Sequence, residues 1–137
     1  IIGLFPKTPA SLRALKETAR LQRDHLGDSA GAVKTLVRLS SMHGGQAGIE
    51  ALLRAAGCAR KDLKDPARQA EILHTLAGDY SSAKEAPQAL YDAAGIYENE
   101  MKDNVKATEL YKKMGVDFPL HKLSRRAEDR AAKLEGK

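Results

Sequence analysis

The chain has 137 residues, 42% of them hydrophobic, and the apolar share is 22 Ala and 17 Leu against 4 Val and 5 Ile, which favours helices over a sheet. Charged residues make up 30%, too regular a composition for a disordered chain, and no uncharged apolar run approaches the roughly 18 residues of a membrane span. The net charge of +5 belongs to the front half: residues 1–68 carry +6 and residues 69–137 carry −1.

In chain order, residues 1–8 are expected to be an extended N-terminal segment. The chain begins Ile1-Ile2-Gly3-Leu4-Phe5 without a Met, so the expectation is a processed or truncated polypeptide with further sequence upstream. Thr8-Pro9 then reads as a cap and first turn opening a helix. On that helix Arg13, Lys16, Arg20 and Arg23 are spaced 3, 4 and 3, which sets four positive charges in one stripe. After Leu26-Gly27-Asp28, a second helix is marked by Ala32, Leu36, Leu39 and His43, spaced 4, 3 and 4. Gly44-Gly45-Gln46-Ala47-Gly48 lacks the Lys-Ser/Thr of a phosphate loop and reads as a turn between units.

The pattern then recurs. Leu52, Ala55, Ala56, Ala59 and Leu63 form a first helix, Asp65-Pro66 a cap, and Gln69, Leu73, Leu76 and Tyr80 a second helix. Thirty-eight positions on, Leu90, Ala93, Ala94, Tyr97 and Met101 repeat the first stripe, Asp103 repeats the cap, and Ala107, Tyr111, Met114 and Phe118 repeat the second. This third unit opens at Ala86-Pro87, or a turn earlier through an S-x-x-E box of Ser82 and Glu85. After Phe118-Pro119, Leu120, Leu123, Ala127, Ala131 and Leu134 predict a seventh, capping helix with Arg125, Arg126, Glu128, Asp129 and Lys133 on its wet face. The units span about 9–44, 46–81 and 86–119, with the cap over 120–135, in a single repeat domain over 9–137.

These residues resemble the tetratricopeptide repeat family. In the third unit the family's small residues fall on Gly95 and Ala107, its aromatics on Tyr91 and Tyr111, and its proline on Pro119. The second unit keeps Leu53, Gly57 and Asp65 but has Gln69 and Ser81 at the alanine and proline positions. The first keeps Gly27-Asp28, Ala32 and Leu36 but has Arg20 at the small position and Lys16 at the aromatic one. The resemblance implies an all-α fold of three helical hairpins stacked in a right-handed superhelix plus the C-terminal capping helix. It implies a concave groove lined by Glu17, Leu21, Asp24, Arg54, Cys58, Lys61, Asp92, Ile96 and Asn99. The Lys and Asn pattern with which some members clamp a terminal carboxylate is replaced by Glu17 and Leu21, which disfavours a chaperone-tail adaptor role. The third unit's style is similar to repeats of bacterial cell-envelope assembly proteins, which implies a periplasmic or envelope-associated location ahead of a cytoplasmic one.

Little in the sequence suggests catalysis. A lone Cys58 excludes an intramolecular disulfide, a cysteine zinc cage and a covalent haem site, and leaves the compartment open. Its position reads as a small apolar side chain. The four histidines, His25, His43, His74 and His121, have no metal-ligand spacing, and His43 reads as a helix-end packing residue. Glu98 and Glu100 lie two apart, on different helix faces, and are expected to be solvated. No catalytic, cofactor or metal residues are therefore assigned. The expected function is a noncatalytic protein-interaction scaffold that takes a protein or peptide segment in its groove. An acidic protein or anionic membrane surface is a further candidate at the basic stripe, and nucleic acid is disfavoured for want of stacking aromatics. The alternative is a constitutive structural or anchoring subunit of a larger envelope complex, with Ile1–Phe5 and the first helix as its contacts.

Overall fold

Alanine at every third or fourth position lets helix backbones approach closely, and within each of two units the apolar stripes fold into helices packed on their neighbours in the chain. The computed structural model describes residues 8–136, in which seven helices and no strand occur. They are α1 (Pro9–Asp24), α2 (Ser29–His43), α3 (Gly45–Lys61), α4 (Pro66–Asp79), α5 (Ala86–Asn99), α6 (Asn104–Asp117) and α7 (Ser124–Leu134). The protein is all-α. Residues 1–7, and with them the contacts expected of Ile1–Phe5, lie outside the described residues. None of the described helices is long and apolar enough to cross a membrane.

The ends of the helices follow local chemistry. Thr8 Oγ1 accepts the Ser11 N–H at 3.0 Å while the Thr8 N–H donates to Ser11 Oγ at 3.2 Å, a reciprocal cap ahead of Pro9. Asp28 and Asp103 cap α2 and α6 by accepting the N–H groups of Gly31 and Lys106, at 2.9 and 3.0 Å. Immediately before each repeated aspartate the backbone turns left-handed, at Gly27 (φ 63°), Lys64 (φ 50°) and Lys102 (φ 55°). The aspartate N–H then reaches back six residues, Asp28 to Gln22 O, Asp65 to Ala59 O and Asp103 to Tyr97 O, at 2.7, 2.9 and 2.8 Å. One turn is thus built three times, with glycine at the strained position only in the first.

The chain divides into two compact units, Ile1–Asp65 and Pro66–Lys137. In the first, α2 packs against both α1 and α3, and the buried residues include Ala19, Ala32, Val33, Leu36, Leu39, Leu52, Ala55 and Ala59. In the second, α4 packs on α5, α5 on α6 and α6 on α7, with Leu76, Leu90, Leu110 and Met114 fully buried. Ala94, Ala107 and Tyr111 face inward, and Tyr91 meets Tyr111 edge to face at 5.7 Å between ring centroids.

Two local expectations change, and one of two alternatives is resolved. The cap does not begin at Leu120: tight turns run from Phe118, with His121 N bonded to Phe118 O and Ser124 N to His121 O, so α7 starts at Ser124 and Leu120 is left 98% exposed. Of the two starts open for α5, the chain uses Ala86, with Pro87 inside the first turn and no side-chain cap bond from Glu85. Glu98 is not solvated. It is buried between α5, α6 and α7, where Tyr111 Oη donates to Oε1 at 2.9 Å and Arg130 Nε to Oε2 at 2.7 Å, so two long-range donors replace its water.

Candidate functional site

The first unit carries the concave surface of greatest chemical interest. With α2 between them, α1 and α3 stand as two walls over the buried Ala32 and Leu36. The resulting cleft holds about 120 Å³ and is lined on the α1 side by Lys16, Ala19, Arg20, Arg23 and Asp24, and on the α3 side by Arg54 and Cys58. Its floor is apolar and its rim carries four cations against one carboxylate. A smaller recess of about 20 Å³ shares Lys16, Leu36 and Arg54 with it and adds Leu39, Ala47, Glu50 and Ala51. Together they form one trough.

The cations differ in how far they are committed. Arg20, which stands where the later units have Gly57 and Gly95, turns back along α1 to pair with Glu17, donating through Nε to Oε2 at 3.1 Å. That bond holds the Glu17 carboxyl below the usual carboxylate range. Arg23 Nε reaches Asp62 Oδ2 at 2.7 Å, and the same oxygen accepts from Ser29 Oγ and Cys58 Sγ, both at 3.3 Å. Three donors, one from each helix of the unit, meet on one atom. Arg23 is the main cause of a lowered Asp62 pKa. Among the described residues, Lys16 and Arg54 have no ion-pair partner.

Cys58 is only 1% exposed. Burial pushes its thiol pKa up, and the hydrogen bond to Asp62 adds to the effect, the reverse of what a nucleophilic cysteine needs. Its place is structural, as a weak donor under the trough. A second recess of about 230 Å³ is lined by Ser11, Ala14, Leu15, Thr18, Thr35, Arg38 and Met42, holds a single cation and contains none of the residues that the sequence points to.

The structure therefore brings together some of the predicted residues and not others. Lys16, Arg20 and Arg23 of the basic stripe share the cleft with Asp24, Arg54 and Cys58 of the predicted groove, whereas Arg13 is exposed outside the lining. Glu17 and Lys61 are exposed, and Leu21, at the position equivalent to Cys58 and Ile96, stays 40% exposed on α1. Asp92, Ile96 and Asn99 lie on α5 of the second unit, where Ile96 is buried and Asp92 accepts from Gln88 Nε2 at 2.8 Å. Sequence reasoning missed Asp62 and Glu50. Asp62 follows Lys61 at the end of α3, and the signal for it was its i+4 spacing from Cys58.

Of the histidines, His43 Nε2 lies 3.0 Å from Ser11 Oγ, His121 Nδ1 accepts the Leu123 N–H at 3.1 Å, and none lines the trough. Among the described residues no three His, Cys, Asp or Glu side chains are grouped to hold a metal ion. A scan against protein-family models finds none that matches the chain, and a search of curated proteins finds none similar to it.

Proposed function

We propose that this chain is a noncatalytic protein-interaction scaffold, made of tetratricopeptide-like hairpins in a right-handed superhelix, whose first unit takes a segment of a protein partner in the trough between α1 and α3. The observation that carries the reading is an apolar floor beneath two uncommitted cations, Lys16 and Arg54, on opposite walls. The three congruent turns support the hairpin repeat. A trough without histidine, whose single thiol is buried and weakly acidic, offers contacts for binding and no activated nucleophile.

Panning a display library of random linear peptides against the full chain tests the reading. Enrichment of a peptide family whose binding is lost in Arg54→Ala or Lys16→Ala, with helicity by circular dichroism unchanged, is the expected result. Failure to enrich any family overturns it. The second reading, a constitutive structural or anchoring subunit of a larger bacterial envelope complex, draws on Val105, Val116 and Leu120 of the second unit, which are 82%, 77% and 98% exposed. Protection of those three side chains from covalent footprinting only in a native assembly is the result expected of that reading.

A further inference from the structure

From the charge layout of the trough we infer that its occupant is an extended segment bearing one central carboxylate, an internal glutamate or aspartate, seated between Lys16 and Arg54. This rests on the interaction reading above and names the partner's chemistry.

The dimensions set the length. Along α3 the lining runs from Ala47 to Cys58, about 16 Å of helix axis at 1.5 Å per residue. About five extended residues at roughly 3.3 Å each cover that distance. The larger part of the trough, about 120 Å³, holds a side chain and is too small for a typical drug-sized ligand, whose pockets begin near ~300 Å³.

The charges set the sequence pattern. Lys16 and Arg54 are the two charged side chains common to both parts of the trough, with Leu36 shared between them, which puts them at its middle, and neither is engaged with an acidic group among the described residues. Arg20 and Arg23 are held by Glu17 and Asp62 and serve as walls. The ends are acidic, with Asp24 in the larger recess and Glu50 in the smaller. A carboxylate in the middle therefore meets two free cations, while carboxylates further along the segment meet like charge. The field selects a single acid flanked by neutral or basic residues and works against a polyacid.

Fluorescence anisotropy on the full chain with labelled peptides of alternating Leu and Ser around one central Glu tests this. The expected result is that replacing the central Glu by Gln weakens binding about tenfold or more, and that extra Glu at both ends brings no gain. Arg54→Glu is expected to lose about tenfold, whereas Lys34→Glu, an equal charge change on the exposed face of α2, changes affinity less than about twofold. Equal losses in the two variants, tighter binding of the polyacidic peptide, or tighter binding of a peptide ending in a free carboxylate overturns the inference. So does Arg54-dependent binding to phosphatidylglycerol vesicles with no binding to the peptides. If the Glu and Gln peptides bind alike, only the carboxylate assignment falls and segment capture stands. If neither binds up to its solubility limit, the interaction reading falls with it.

Discussion

Lysine at the left-handed position of the second and third repeated turns makes a measurable prediction. Lys102 has φ 55° and Lys64 φ 50°, where the equivalent residue of the first turn is Gly27 at φ 63°. An L-residue held there costs about 1–2 kcal/mol relative to glycine, and glycine gives back roughly 0.5–1 kcal/mol through its extra freedom when unfolded. Lys64→Gly should therefore stabilise by about 0.5–1 kcal/mol. Lys102→Gly should gain less, because the Lys102 charge also favours the buried Glu98 carboxylate and that help is lost. Gly27→Lys should destabilise by about the amount that Lys64→Gly gains. For units of this size each kcal/mol moves a thermal midpoint by about 4–8 °C, so both signs are readable by circular dichroism melting. Lys34→Gly, in the exposed middle of α2, is the control: the same chemical change should cost about 1 kcal/mol there. If Lys64→Gly lowers the midpoint as Lys34→Gly does, backbone conformation does not govern these turns and the reasoning fails.

Three other outcomes are expected. Leu90, fully buried in α5, should lose about 3–5 kcal/mol on truncation to Ala, while Leu120→Ser should stay within about 0.5 kcal/mol, both by urea unfolding. The Glu98 carboxyl sits below the usual carboxylate range, chiefly through its bond from Arg130 and then that from Tyr111, so its folded pKa lies below its unfolded one. Its contribution is fully present above the unfolded value near ~4.3 and is lost as pH falls through the folded pKa; Glu98→Gln should flatten that part of the acid limb in urea midpoints taken across the range. Cys58 should react with a thiol reagent at least about a hundredfold more slowly in the native chain than in urea, with a rate that follows opening of the unit. Fast native labelling would contradict its placement beneath the trough.

Periodicity carried most of the secondary structure because the signals are local. Thr8-Pro9, Asp28 and Asp103 act within three residues of themselves, and the stripes through Leu36, Leu39, Leu90 and Ala93 report burial directly. Failure came where the deciding partner is distant in sequence. Glu98 reads as a surface acid until Arg130, thirty-two positions away, is beside it, and Asp62 looks unremarkable until Arg23 and Ser29 converge on its oxygen. The trough itself was half legible. The basic stripe and the groove positions on α3 were each visible as helix faces, but nothing in a linear pattern says that Arg20 and Arg23 are neutralised while Lys16 and Arg54 are left over. Leu120 misled because it keeps the helical spacing of the residues after it, whereas turns starting at Phe118 delay the helix.

Because Asp62 Oδ2 gathers a donor from each of α1, α2 and α3, the mouth of the trough beside Asp24 is pinned. Losing that one carboxylate would release all three helices together at that end, so the spacing of both walls and the floor there hangs on a single side chain.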